Sequence, residues 1–442
     1  KTYDQTVAGA SYDVSLSTDG IVLSFEGFQP LLPRLISRVM DEFRSGLEVT
    51  QVELDRATRE LSDSLQSYSE MPVTYAISDR SVLLTTGGHS KAEALASLSG
   101  INVSSVSSAM SDLLLRSPMQ FDSLVMGNLN DAQAAHATSA LKKGVATGRA
   151  TRSAGQVLPA TPVVRPGRPV ELRKKNPRAG DPNGVVVVTL LHGVGSVRDK
   201  VVFGLLGQIL GQLAYNELRT KQQLGYVVHA GEVLISNVQA VSTVVQGATA
   251  DADAMEAAVD RLYFEDMGAH LDNLTEDDFQ SFRRSYRQQL MHPPLGHGEE
   301  FGHFWSPILT NITCNGLRNE MLWFLDEALT GKQLLVDTWS GLVRPGGARQ
   351  KVVIKYFPDR VPERPSREAS DAAWRERGIS DADRRQLADE FGATVVLSEA
   401  DSRARARLVA LGGHFPAYVD CALPEAERPA RRPSATPAPE PA

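Results

Sequence analysis

Hydrophobic and polar positions follow two rhythms along this chain. In residues 20–27, GIVLSFEG, Ile21, Leu23 and Phe25 fall on one side of an extended segment, the period-2 pattern of a strand with one buried face. After Pro30 the period becomes 3.6. Leu31, Leu32, Leu35, Ile36, Val39, Met40 and Phe43 form one apolar stripe and predict an amphipathic helix. Thr50 followed three residues later by Glu53 has the spacing of a capping box, in which each side chain satisfies a free amide of the other residue. The helix it opens carries Leu54, Ala57, Leu61, Leu65 and Tyr68 and should stop before Pro72. Shorter helices are predicted at 74–85, 91–98 and 103–117. A strand at 121–127 should run into the turn Met126-Gly127-Asn128, followed by a helix reaching Lys143.

The pattern breaks at 149–184, where five prolines precede a GDPNG turn signal. Within it, residues 157–172 suit an edge strand, where proline is tolerated. Beyond it lies a buried-looking strand, 185–191, and a long helix, 199–218. On that helix Gly207 and Gly211 would let another backbone approach closely. Strands are predicted at 226–232 and 238–245, then a helix at 251–268 and a second capped start at Thr275-Glu-Asp-Asp278. The helix after it carries Phe279, Phe282, Tyr286 and Leu290 and should end before Pro293-Pro294. Helices at 298–312 and 318–339 precede a last strand at 351–357.

The order strand, amphipathic helix, Thr-capped helix, proline stop thus occurs twice, which reads as a tandem repeat of domain architecture. The expected fold class is α+β: two tandem homologous domains, each a mainly antiparallel sheet covered by helices. Their expected limits are 1–150 and 185–358, with 151–184 as linker and edge strand. Residues 359–427 are expected to form a polar extension, with one or two exposed helices in 359–410, and 428–442 a disordered tail.

Composition narrows the function classes. The 442 residues are 42% hydrophobic and 22% charged, with a net charge of −7. That balance is globular and argues against a nucleic-acid or polybasic membrane binder. The most apolar run, 185–194, is far shorter than the ~20 residues of a membrane span. The N-terminal KTYDQTVAGASYD lacks a signal-peptide pattern and reads as the end of a helix entered from outside, with Tyr3, Val7 and Ala10 at helical spacing. Two cysteines, Cys314 and Cys421, cannot build a disulfide scaffold or a four-thiolate zinc site, which favours a reducing compartment. The expected localisation is intracellular and cytosolic, with an organelle open if the natural chain starts upstream of Lys1.

No complete active site is written in the spacing. His297 and His303 flank two glutamates but are six apart, about 240° around a helix, where a zinc pair must be four apart. His192, at a strand end before Gly193 and Gly195, could be a base or ligand, yet no partner adjoins it in sequence and the glycines do not complete a phosphate loop. The segment 216–228, NELRTKQQLGYVV, is more suggestive. Arg219 offers a fork for a carbonyl or carboxylate, and the Tyr226 hydroxyl could donate to a developing oxyanion. The same residues also suit a plain helix end with a packed Tyr and a solvated Arg.

That segment closely resembles the LRT-K-x-QLGY segment of insulin-degrading-enzyme-like zinc metallopeptidases, the insulysin/pitrilysin family. Flanking matches occur in order: AGASYD with GIVLSFEGF and the helix after Gln29-Pro30, Met126-Gly127-Asn128-Leu129, and Thr275-Glu-Asp-Asp-Phe279. The resemblance covers residues 3–357, and more loosely as far as Pro424. It implies the C-terminal half of a clamshell peptidase, whose four homologous α+β domains enclose a peptide-digestion chamber. In such enzymes Zn2+ is bound by an HxxEH motif and a distal glutamate in the N-terminal half, so the resemblance assigns no metal ligand and no cofactor-binding residue to this sequence. It assigns to Arg219 and Tyr226 the contacts with substrate and with the tetrahedral intermediate. The implied partners are an N-terminal catalytic half, on the same longer chain or a separate subunit, and peptide substrates; nucleic acid and a membrane span are not expected. The alternative is a catalytically inactive homologue acting as scaffold or peptide-binding subunit. Retention of both Arg219 and Tyr226 favours the first reading.

Overall fold

Ser11–Leu16 (β1) and Ile21–Glu26 (β2) pair antiparallel, with Tyr12 opposite Phe25. The apolar side of β2 seats the helix Leu31–Ser45 (α1): Ala10, Leu35, Val39 and Phe43 are buried, with Ile21, Leu23 and Phe25 packed against them. The computed structural model describes residues 9–16, 20–28, 31–45, 48–113, 121–143, 161–236, 238–309, 316–343, 349–413 and 415. The expected lead-in at Tyr3 and Val7, both cysteines and the tail 428–442 lie outside them.

The helix Gln51–Gln66 (α2) opens on the expected capping box, with the Glu53 amide donating to Thr50 Oγ1 at 3.3 Å and the Thr50 amide to Glu53 Oε2 at 3.0 Å. Pro72–Leu84 (α3), Lys91–Leu98 (α4), Val103–Ser111 (α5) and Asp131–Lys143 (α6) follow. The strand expected at 121–127 does not form. Residues 121–126 are irregular, ending in a bend at Gly127-Asn128. An apolar run becomes a strand only where a neighbour supplies ladder hydrogen bonds, and the β1–β2 sheet has two strands only. Among the described residues the first segment therefore holds a hairpin and helices, not a broad sheet.

The main sheet has six strands: Val170–Lys175 (β3), Gly184–Val194 (β4), Val227–Ile235 (β5), Val238–Gly247 (β6), Gln350–Phe357 (β7) and Val395–Leu397 (β8), in the order β5-β6-β4-β7-β3-β8. The first four of that order are antiparallel; β3 runs parallel to both β7 and β8. The sheet is thus mixed, within the expected α+β class. The edge strand expected in 157–172 is instead β3, an interior strand. It begins just past Pro169, so no ladder amide is lost to a proline.

One face of the sheet is covered by the helix Val197–Ala214 (α7), which continues as the π-helical Tyr215–Lys221, and by Ala252–Arg261 (α8), Met267–Asn273 (α9) and Glu276–Met291 (α10). Gly207 and Gly211 do admit a backbone: a Cβ on them would lie 2.7 Å from Glu232 N and 2.9 Å from Ala230 O of β5. His297–Leu309 (α11) follows. The single helix expected at 318–339 is two, Leu317–Trp323 (α12), running into Phe324–Ala328, and Gln333–Val343 (α13), split by a turn at Gly331. Trp339 closes this layer, its indole donating to Tyr263 O at 3.2 Å.

The other face is covered from both ends of the chain. From α3 come Val73, Ala76, Leu83 and Leu84, and from Ser402–Gly412 (α16) come Ala404 and Leu408. Buried Asp79 of α3 accepts from Tyr356 Oη at 2.7 Å and pairs with Lys174 at 2.9 Å. The expectation of one or two exposed helices in 359–410 is corrected here. Arg367–Glu376 (α14), Asp381–Ala393 (α15), β8 and α16 are packed, with Trp374, Ile379, Leu387 and Ala388 buried around Ala257. Arg405 donates to Val82 O and Gly88 O at 2.7 Å each. The many charges hid amphipathic spacing because two of them are themselves buried, Glu390 against Arg349 and Arg405 on backbone carbonyls.

Glu93 joins the two ends of the chain. It closes the capping box of α4 at Ser90 and accepts the Ser402 amide at the start of α16, 2.9 Å away. Burial opposes its charge, but the hydrogen bonds from Ser402 and Ser90 outweigh it and hold the carboxyl at about 2, down from 4.5. A depressed carboxyl contributes stability above its unfolded value and loses it as pH falls through the folded one. The melting temperature should therefore fall between pH 4.5 and 2 partly through Glu93. Glu93→Gln should show a smaller fall over that window. Equal losses in the two proteins would remove this link.

Candidate functional site

Tyr226 stands where α7 turns into β5. The helix changes to π-helical winding over Tyr215–Lys221 and is ended by the amides of Gln222 and Leu224, which bond Glu217 O and Leu218 O at 3.0 Å each. Inserted π turns often mark functional segments, because they displace side chains from regular helical positions. Gln223 then takes a left-handed φ of 53°, and Gly225 passes beneath the end of β6. A Cβ on Gly225 would lie 2.1 Å from Gln246 O, so only glycine fits that crossing. Thr249 Oγ1 pins the turn by donating to Gln223 O and Leu224 O, both at 3.0 Å, while Leu224 is buried.

The turn is fixed, yet its two candidate side chains are exposed. Tyr226 is 53% exposed. Arg219 is also exposed, its guanidinium stacked 4.9 Å from the Tyr215 ring centroid. This stack holds the planar fork without occupying its donors. The structure thus carries both sequence-predicted residues on one connection between α7 and β5. The Tyr is not packed into the core, as a plain helix end would have it.

The other candidates resolve differently. His192 has a partner the linear sequence hid: its Nε2 lies 3.8 Å from Asp199 Oδ1, and its ring lies 4.9 Å from that of Phe203. Asp199 already caps α7 through Ser196. Burial works against its charge, but bonds from His192 and Ser196 prevail and hold it below the usual carboxylate range. This is helix-cap work. His297 is open to solvent beside Glu300 at 3.7 Å, and His303 is exposed. The two histidines form no metal site.

One acidic cluster escaped the sequence reading because its members are far apart in the chain. Glu171, Asp253 and Glu256 bring carboxylate oxygens within 4.8 Å of one another. They line a cavity of 320 Å³ beneath α14 and α15. Zinc is not suited here. The donors are carboxylates alone, with no His or Cys. Cations already fill the gap: Lys355 Nζ lies 2.8 Å from Glu171 and 2.6 Å from Asp253, Lys351 Nζ lies 2.7 Å from Glu256, and Arg173 lies 2.7 Å from both Glu171 and Asp253. Burial and the neighbouring Lys351 and Lys355 act oppositely on Glu256, and the lysines win, holding it ionised well below the carboxylate range. It is an ion-pair network that ties β3 and β7 to α8.

Comparison with known proteins agrees with the resemblance carried by the turn. Residues 1–97 match the family model described as the middle or third domain of peptidase M16. Residues 205–305, which include Arg219 and Tyr226, match PQQ synthase PqqF-like, C-terminal lobe domain 4. This chain is a peptidase M16 (pitrilysin/insulysin family) domain region. A nardilysin-like protein of Arabidopsis thaliana is 23% identical over 316 residues, and human insulin-degrading enzyme 21% over 311; each alignment covers 70% of this chain and 30% of the relative. The chain therefore spans about a third of the curated relatives it matches. In fold it is similar to the crystal structure of pitrilysin, with a TM-score of 0.70 at 17% identity, over 90% of this chain and 39% of that one. It is also similar to a peptidase M16 inactive domain from Pseudomonas fluorescens, with a TM-score of 0.57 at 14% identity, over 82% of this chain and 84% of that one. The matched domains are of the non-catalytic middle and C-terminal type. M16 peptidases use zinc, and the M16 chain here carries no HxxEH motif. No described helix is long and apolar enough to cross a membrane.

Proposed function

We propose that this chain is the non-zinc-binding C-terminal half of a zinc metalloendopeptidase, closing the chamber over peptide substrates. The observation that carries this is the α7–β5 turn: rigidly pinned at Gly225 and Thr249, yet presenting Arg219 and Tyr226 to the outside. Arg219 holds a peptide carbonyl in its fork, and Tyr226 donates a hydrogen bond to the oxyanion that develops there. The metal belongs to the N-terminal catalytic half, whether on the same longer chain or a separate subunit. Third-domain and fourth-domain matches in that order support the reading.

A second reading, an inactive homologue serving as scaffold or peptide-binding subunit, is favoured by the 84% coverage of the solved M16 inactive domain. Activity separates the two. The isolated chain, supplied with zinc, should cleave no fluorogenic peptide. Combined with a catalytic half bearing HxxEH, it should raise that half's turnover. Hydrolysis by the isolated chain would overturn the division of labour, and no gain on combination would favour the scaffold.

A further inference from the structure

Gln246 lies at the end of β6, paired with Val185 of β4 and Val227 of β5, and has no exposed surface. Its amide is held from both sides. Oε1 accepts the backbone N–H of Val73 at 2.8 Å, and Nε2 donates to the hydroxyl of Tyr226 at 2.5 Å. This orientation is forced. A backbone N–H only donates, so the amide oxygen must face Val73 and the NH2 must face Tyr226. Val73 sits in the first turn of α3, where amides have no acceptor within the helix, so the bond also satisfies an otherwise orphaned donor.

The consequence falls on Tyr226. A phenol has one hydrogen and two acceptor lone pairs. One lone pair takes the Gln246 hydrogen, so the phenol hydrogen cannot lie on that line and is left for the exposed side. A donor that is itself accepting a hydrogen bond is polarised into a stronger one.

We propose that Gln246 is the positioning residue of Tyr226: anchored by α3, it donates to the phenol oxygen and turns the Tyr226 proton outward, toward a substrate oxyanion. This rests on the function proposed above and adds a specific relay, Val73 to Gln246 to Tyr226, by which the first segment takes part in the site. Gln246 is one of two fully buried glutamines on β6, the other being Gln239, and its two amide hydrogen bonds account for its place there.

The test reverses the bond. Gln246→Glu is nearly isosteric and keeps an acceptor for Val73, but its second oxygen accepts the Tyr226 proton instead of donating. In the chain combined with a catalytic half, kcat should fall at least tenfold with KM little changed. The double variant with Tyr226→Phe should be no slower than Tyr226→Phe alone. If Tyr226→Phe is slow while Gln246→Glu matches wild type, the positioning role is overturned and the proposed function stands. If neither variant is slow, the proposed function itself fails. A second measurement does not depend on activity or on the folding of Gln246→Glu. In the 15N-labelled chain, the Gln246 Nε2 resonance should shift in Tyr226→Phe, whose ring has no acceptor. An unmoved resonance would show that the bond is absent and overturn the inference.

Discussion

Glu390→Ala should lower the stability of the sheet and its C-terminal helices by about 3–5 kcal/mol. Glu390 is 4% exposed on α15, and its Oε1 receives the Arg349 guanidinium (Nε at 2.9 Å, with Nη2 on the same oxygen) and Gln386 Nε2 at 2.9 Å. Arg349 is 3% exposed at the start of β7, where it also donates to Val343 O at 2.9 Å and lies 4.6 Å from the Phe264 ring centroid. Removing the carboxylate leaves a guanidinium out of water with one carbonyl for company. That orphaned charge, not the loss of attraction between the partners, sets the size of the effect. The matched control is Asp389→Ala, one residue away, which breaks an exposed pair with Arg367 and should cost about 0–1 kcal/mol. Urea unfolding of both variants, followed by tryptophan fluorescence, measures the contrast. Equal, small effects would mean that the C-terminal helices are not part of the same cooperative unit as the sheet.

That contrast marks where the sequence was legible and where it was not. Local rules were reliable: Thr50 with Glu53 and Thr275 with Asp278 cap helices as their spacing requires, and Gly207 and Gly211 admit β5. Long-range pairing was not. Nothing near Phe121 reveals that no strand will pair with it, and nothing in the Arg- and Glu-rich stretch after 359 reveals that Arg349 will meet Glu390 forty-one residues on. The site divides in the same way. Arg219 and Tyr226 were visible in one contiguous segment. Their support was not, because Gln246 is twenty residues from Tyr226 and Val73 another 173 from Gln246. The local signal was weak: Gln246 shares a strand buried on both faces with other buried polar residues, Gln239, Ser242 and Thr243, and nothing local singles it out.

Tyr226→Phe should lower turnover of the assembled peptidase by roughly one to three orders of magnitude. The argument is subtractive. Phenylalanine keeps the ring and its place in the turn, because the ring is half exposed and the backbone there is held by Gly225, Leu224 and Thr249. Only the hydroxyl is lost, and with it the donor that the proposed function sets where charge develops in the transition state. Such a loss falls on kcat, since a neutral ground-state carbonyl gains less from the donor than an oxyanion does. Val73 still holds the Gln246 amide oxygen, but Nε2 loses its acceptor, and that unsatisfied buried donor should cost about 1–3 kcal/mol of stability. The measurement is steady-state cleavage of a fluorogenic peptide with a fixed catalytic half, alongside a melting curve for each protein. A kcat lowered in protein that remains folded at the assay temperature, with only a modest drop in melting temperature, places the hydroxyl at the reacting carbonyl. An unchanged kcat would leave the chain in the M16 family but remove Tyr226 from the chemistry, and the inactive-scaffold reading would then account better for what this turn presents.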